Sequence, residues 1–490
     1  MENRFQKASH TLVLSDIHLA DAEPPHPKNP LWKRFKRPRY FIDRTFRKFL
    51  DYWSSQIDGP IELVLNGDIF DFDSIMEFPK EEELAQYGNF SVNWLERRRG
   101  LAAEEPKSRF KMNVIIHTHA VFFTALSEFI AKGNRVVFVI GNHDMELHWP
   151  SVRQVLFERL ADTEELRERV RFCEWFYVSN NDTLIEHGNQ YDAYCLASNP
   201  INPLIRIGSR VSVRIPFGNL AGKYMLNGMG LMNPHADSSF IRGSIKDYVV
   251  FYYKYMVTTQ PLLPLTWFWS AVVTLLYSLS EGFLPALTDP LTIGSRIEEI
   301  AQRSNSTSRV VWSLRELHAH PAIFNPLKIA RELWLDRAIL LGLILFGSFQ
   351  LFSFLNLFTS LSWVWVLIPI GLLLPIFMFY ARSVQSEVDQ VQKQAFHMAP
   401  IAAQIVGVQR VVQGHVHRER HTWVGSTEYL NSGTWSPAYH DVECTQPYGR
   451  KCFVWIKPNS EAPDGPRIAE LYEWTGSESV RIEATPWIGS

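Results

Sequence analysis

Cysteine is scarce in this chain. Cys173, Cys195, Cys444 and Cys452 are the only four in 490 residues, and no two form a Cys-x-x-Cys pair. That number and spacing do not make a disulfide framework, and all four thiols are expected to be reduced. Net charge is nearly absent as well. Forty-nine Lys and Arg against 51 Asp and Glu leave −2, which excludes a global attraction to nucleic acid, so no nucleic-acid partner is expected. The segment Met1 to His10 lacks the charged start, apolar core and cleavage site of a secretory signal, so a cytosolic start is expected. There is no internal repeat. A disordered polymer is excluded by a hydrophobic fraction of 46%, with 16 Trp and 32 Phe.

What is present is a series of short apolar runs that stop at polar clusters. Thr11 to Leu14 ends at Ser15-Asp16, Ile61 to Leu65 at Asn66-Gly67-Asp68, and Val136 to Ile140 at Gly141-Asn142-His143-Asp144. Such runs read as buried strands. The stretches Tyr40 to Trp53 and Val114 to Lys132 between them read as helices, which predicts a layered α/β domain with its site at the C-terminal strand ends. Val170 to Val178 and Thr183 to Glu186 are strand-like and lead to His187-Gly188. Strand character resumes at Val408 to Gln413 before Gly414-His415-Val416-His417. It continues at His421 to Val424, Glu428 to Leu430, Lys451 to Ile456 and Ile468 to Trp474. The organisation expected is one α/β domain in two pieces, 1–195 and 400–490, around a helical insertion, 196–399. The charged stretch Lys80 to Lys111 is expected to be a solvated excursion.

Two runs in the insertion, Ala338 to Phe358 and Leu361 to Tyr380, carry no charge and are about the ~20 residues needed to span a bilayer. Arg337 and Arg382 flank the pair, which predicts a hairpin near 338–380 with both ends on the cytoplasmic side. Val257 to Ser280 is also uncharged. His187 precedes the insertion and His415 follows it, so an even number of crossings is required. The region 257–287, with Pro261, Pro264, Gly282 and Pro285, is therefore expected to be re-entrant, interfacial or packed within the protein. Leu31 to Leu50 alternates basic and aromatic residues, which fits either contact with anionic headgroups or an amphipathic surface helix.

The polar clusters at the strand ends carry the chemistry: Asp16-x-His18, Gly67-Asp68, Gly141-Asn142-His143-Asp144, His187-Gly188 and Gly414-His415-x-His417. Residues two apart on an extended segment project to one side, so Asp16 with His18, and His415 with His417, are expected to grip an ion in that way. Mixed imidazole and carboxylate ligands suit manganese, iron or zinc.

In these motifs and their order the chain resembles the calcineurin-like metallophosphoesterase superfamily. The resemblance implies a four-layer αββα sandwich and two divalent cations, manganese first, with iron or zinc as alternatives. One cation would be held by Asp16, His18, Asp68 and His417, the other by Asp68, Asn142, His187 and His415, with Asp68 shared. The implied reaction is hydrolysis of a phosphate ester or anhydride by hydroxide. His143 would stand beside the leaving group and Asp144 would orient it. Within the superfamily, Ser15-Asp16-Ile17-His18-Leu19, Gly67-Asp68-Ile69-Phe70 and an insertion after His187-Gly188 are similar to the UDP-2,3-diacylglucosamine pyrophosphohydrolase branch, although His143 stands where that branch carries Arg. Arg418 and Asn189 are expected substrate contacts, with Asp192 beside them. His117 and His119, on a predicted helix, are expected to be structural or surface residues, and His148, close after Gly141-Asn142-His143-Asp144, is expected to be structural, with a place lining the site as the alternative. A site tied to the cytosolic face of a bilayer suggests a lipid-linked phosphate as substrate. The other readings are a soluble nucleotide or phosphoprotein substrate with the hairpin as anchor only, and a binding module without activity.

Overall fold

The computed structural model describes residues 7–231, 233, 249–284, 287, 292–384, 386–387, 395–462 and 465–485. Met1 to Gln6 and Pro285, named above, lie outside these residues. The first three apolar runs form β1 (His10–Leu14), β2 (Ile61–Asn66) and β3 (Arg135–Val139), paired in parallel in that order. Their side chains alternate between two cores. Leu12, Leu14, Leu63, Leu65, Val136 and Phe138 meet Phe46, Phe49 and Leu126 from helices Asp43–Gln56 and Ala120–Ala131. Val13, Val64, Val137 and Val139 meet Tyr177, Ile185, Val412 and Leu430 from other strands. Burial on both faces is why these strands read as unbroken apolar runs.

The run Val170 to Val178 is two strands. β4 (Val170–Cys173) extends the first sheet, and β5 (Phe176–Ser179) pairs with β6 (Thr183–Glu186) in a second. Between them Glu174 is buried and ringed by Arg153, Arg296 and Arg303. The insertion opens not on a helix but on a hairpin, β7 (Leu204–Ile207) and β8 (Arg210–Val213). Gly208, at φ +64°, makes the tight turn possible. The chain returns as β9 (Arg410–Gln413), β10 (Arg420–Val424) and β11 (Thr427–Asn431), and finishes with β12 (Cys452–Lys457), β13 (Ile468–Trp474) and β14 (Ser479–Ile482). The sheet orders are β14-β13-β12-β1-β2-β3-β4 and β10-β11-β9-β6-β5. Despite the residues between them, β6 and β9 are parallel neighbours, with Thr183 opposite Arg410 and Ile185 opposite Val412. The architecture is α/β with mixed sheets.

Part of the insertion is structural cover. Ile297, Ile300 and Ala301 of helix Ile293–Arg303, at helical spacing, pack on the second sheet. Val311 and Leu314 of Ser308–Arg315 and Ala399, Ala402 and Ala403 of Ala399–Val406 pack there too.

Two further expectations change. Val114 to Lys132 is not one helix: Glu105–Thr118 and Ala120–Ala131 meet at 87°. At the break, His119 is buried, its Nδ1 3.0 Å from Asp43 Oδ1 and its Nε2 2.9 Å from the Ala20 carbonyl. These partners draw the imidazole inward and stop the helix. The charged stretch Lys80 to Lys111 is not simply solvated either. Lys107 is buried 2.6 Å from Glu96, and Lys111 is buried 2.5 Å from Glu146, which offsets the desolvation of each charge. All four cysteines are free, as expected.

Among the described residues, three helices are long and apolar enough to cross a membrane: Leu263–Phe283, Leu335–Asn356 and Trp363–Ser383. The last two form a hairpin whose flanks are almost wholly uncovered, whereas Leu263–Phe283 buries Ser270, Ala271, Thr274, Ser278 and Glu281 against the protein. Its outer face exposes Leu265, Trp269, Leu276 and Phe283. A break at Gln260–Leu262 separates it from the preceding helical turns, Tyr252–Thr259. At the base of the hairpin, Arg337 donates to the carbonyls of Arg331 and Val384, and Tyr380 donates to Asp336.

Candidate metal centre

The clusters named from the sequence lie at the C-terminal ends of β1, β2, β3, β6 and β9, parallel strands of the two sheets. Backbone hydrogen bonds sew the turns together. Asp16 N reaches Gly67 O at 3.0 Å, Ile17 N and His18 N reach Asp68 O, and Gly414 N reaches His187 O at 2.9 Å. The rings of His187 and His415 are 5.3 Å apart, so side chains from before and after the insertion share one place.

The ligand pairs converge by a different route from the one expected. Asp16, His18, Asp68, His415 and His417 all have positive φ, between 52° and 68°. An extended segment with alternating side chains is excluded at these positions; consecutive left-handed turns aim the side chains instead. Non-glycine residues seldom adopt this conformation, and where they do the strain often marks a functional site. Gly67, at φ +78°, and Gly414 are close-approach positions. A Cβ on Gly67 would collide with the His187 ring, and one on Gly414 would lie 2.6 Å from Asp16 Oδ2.

Two acid–imidazole groups result. Asp16, His18 and His417 can place one ligand atom each within 4.8 Å of one another, and so can Asp68, His187 and His415. Asp68 also groups with His18 and His143, so it stands between the two sets. Its Oδ2 is 3.1 Å from His187 Nε2, and its Oδ1 accepts from the His143 amide at 2.8 Å. Burial pushes the Asp68 carboxyl up, but the adjacent His187 and His143 hold it well below the usual range. His187 Nδ1 donates to the Asn66 carbonyl at 2.9 Å, so in the neutral imidazole the lone pair is on Nε2. Burial lowers that imidazole, yet Asp68 and Asp16 outweigh it and raise it to about 9.

Asn142 Oδ1 is buried without a hydrogen-bond partner, and Asp16 Oδ1 and His187 Nε2, also buried, face only the neighbouring candidate ligands His417 Nε2 at 3.2 Å and Asp68 Oδ2 at 3.1 Å. Such atoms are costly unless something else completes them. Each is an oxygen or nitrogen of the kind that first-row divalent cations take. The donor set fits metal ions: Asp16, His18 and His417 could hold one, and Asp68, His187 and His415 another, with Asn142 Oδ1 free to add an oxygen.

Two residues support these, Asp192, which was expected near the site, and Asn219, which was not. Asp192 Oδ2 accepts from His415 Nε2 at 3.1 Å, and its Oδ1 accepts from the Tyr194 amide at 2.8 Å. A proton fixed on Nε2 leaves Nδ1 as the metal-facing nitrogen. Asn142 Nδ2 donates to Asn219 Oδ1 at 3.1 Å, and Asn219 donates in turn to Asp73. Asn219 comes from helix Phe217–Tyr224, so the insertion reaches the site. Removing the imidazole's carboxylate partner should be felt at the metal: Asp192→Asn should lower metal affinity about 10–100-fold, read by chelator competition.

Asp144 does not reach His143 as expected. Its carboxylate accepts from the amides of Ile69, Phe70 and Gly141 and braces the strand-end turns. Asp71 takes the orienting place, with its Oδ1 3.2 Å from His143 Nδ1. Burial draws the His143 imidazole down, but Asp68, Asp71 and Asp73 outweigh it and raise it to about 10. Asn189 is also reassigned: it is buried and donates to Cys195 O at 3.1 Å, holding its own turn. Arg418 is exposed and does not line the cavity beside His18 and His143. His148 lines a separate cavity with Asn199 and Arg296. No known family model matches this chain, and a search of the curated proteins finds no match to it.

Proposed function

We propose that this chain is a membrane-associated phosphohydrolase of the calcineurin-like metallophosphoesterase superfamily, acting on a phosphate ester or anhydride of a lipid-linked substrate. The observation that carries the reading is the convergence of two buried acid–imidazole groups, Asp16 with His18 and His417 and Asp68 with His187 and His415, beside the unpartnered Asn142 Oδ1. The succession of helices, sheet, sheet and helices described by the apolar cores supports the four-layer αββα form of that superfamily. When bound, two divalent cations, manganese foremost, with iron or zinc as alternatives, would neutralise the phosphoryl oxygens and supply hydroxide near neutral pH. The chain's own residues do the rest. Asp68 holds the two ligand sets at one spacing. His143, protonated and oriented by Asp71, presents its proton to the leaving oxygen. Asp144 and Asp192 keep the turns and the His415 tautomer fixed.

The uncovered hairpin supports membrane attachment. Because His187 and His415 share a site, the chain must return to the side it left, so the hairpin crosses and Leu263–Phe283 lies along the protein at the bilayer surface. Arg337 and Arg382 at the hairpin's ends favour the cytoplasmic side. The second reading, a soluble nucleotide or phosphoprotein substrate, keeps the hairpin as an anchor alone.

The test has two arms. Purified protein should contain divalent metal and hydrolyse an aryl phosphate; absence of both would refute the hydrolase. Deleting 338–380 should abolish turnover of lipid-linked phosphates in vesicles while aryl phosphate turnover continues. Equal turnover of both after deletion would favour the soluble substrate.

A further inference from the structure

The cavity beside His18 and His143 contains more than hydrolysis requires. It is also lined by Phe35, Phe41 and Leu226, and by two lysines, Lys33 and Lys36. Lys36 is neutralised in place. Its ammonium contacts Asp21 and donates to the Ser74 carbonyl at 2.8 Å. Lys33 differs: it is 5% exposed, and its carboxylate partner, Glu23 Oε2, stands off at 3.9 Å. A buried ammonium without a close counter-charge is costly. Burial, the largest influence, and the neighbouring Lys36 pull it down to about 8.

The backbone nevertheless fixes Lys33 there. Its φ and ψ are both 40°, a left-handed conformation that a lysine rarely adopts. Its amide is held by the Gly230 carbonyl at 2.5 Å, and Trp32 packs where a Gly230 side chain would be. The basic and aromatic N-terminal loop and the insertion are thus locked together around an under-compensated cation. That cation borders the same cavity as His18 and His143.

We propose that Lys33 binds a second anionic group of the substrate, distinct from the phosphoryl group that is cleaved, while Phe35, Phe41 and Leu226 take an adjoining apolar part. This rests on the hydrolase reading above and narrows its substrate to amphiphiles that carry a carboxylate or a further phosphate on the apolar portion.

The test uses the full chain in detergent, loaded with manganese. Binding of methyl-terminated alkylphosphonates is compared by calorimetry with binding of carboxyl-terminated ones over a range of chain lengths. At one length the terminal carboxylate should tighten binding about 10- to 100-fold. Lys33→Gln and Lys33→Met should erase that gain, and Lys33→Arg should keep part of it. Thermal melts check that each variant is folded. If no carboxylated probe surpasses its methyl counterpart, or if the gain survives in folded Lys33→Gln, the assignment is overturned. Manganese and methyl-terminated phosphonate binding report on the metal site separately, and loss of both would overturn the hydrolase reading itself.

Discussion

Asp68→Ala should leave the protein without a functional centre: metal content should fall from two equivalents per chain to less than one, and aryl phosphate hydrolysis to background. Asp68 is the residue that the two proposed ligand sets would have in common. One carboxylate oxygen faces His187 Nε2 and the other accepts the His143 amide. With the carboxylate gone, the imidazoles of His18, His187, His415 and His417 have only Asp16 to offset the charge of two cations, and repulsion between the cations rises accordingly. The effect exceeds that of losing any peripheral ligand because both sites fail together. Asp68→Asn separates charge from shape, since an amide oxygen can still accept from the His143 amide. It too should bind less metal, with an unchanged far-ultraviolet dichroism spectrum. Full metal content in Asp68→Ala would contradict the shared-ligand arrangement.

His143→Ala should slow hydrolysis about 10²–10⁴-fold while both metals stay bound. This combination distinguishes the residue from every ligand named here. The imidazole is held on one edge by Asp71 and lies against the His18 ring, with centroids 4.9 Å apart. It is thus placed beside the proposed cation site, outside the two ligand sets proposed above. The loss should be greatest for substrates with poor leaving groups and smallest for activated aryl phosphates, because a good leaving group needs no proton. Equal loss for both classes would assign His143 to phosphoryl binding rather than to proton delivery, and undiminished activity would remove it from catalysis.

The strand ends were legible because β-branched runs that stop at Gly, Asn or Asp leave a local trace. Asp16, Asp68, Asn142, His187 and His415 follow such runs directly. The residues that support them leave less. Asp192 stood out only as a polar neighbour of His187, and Asn219 not at all, because both act through partners more than 70 positions away. Asp71 and Asp73, three and five places after Asp68, were the nearest to being readable. The left-handed turns at Asp16 and His18 were hidden because neither residue is glycine. The break at His119 was hidden because helix periodicity continues through it, and only the distant Asp43 and the Ala20 carbonyl interrupt the chain. Lys33 read as one more cation in a basic stretch, since burial is a property of its surroundings.

Because β6 and β9 are neighbours, the insertion looks removable at its two roots, yet it also shields the second sheet with Ile297, Ile300, Val311 and Leu314 and delivers Asn219 to the ligand shell. Cutting it out whole would bare an oily surface and loosen Asn142. A form without the uncovered hairpin therefore has to be trimmed between Arg337 and Arg382, where the chain doubles back on itself, and nowhere nearer the sheet.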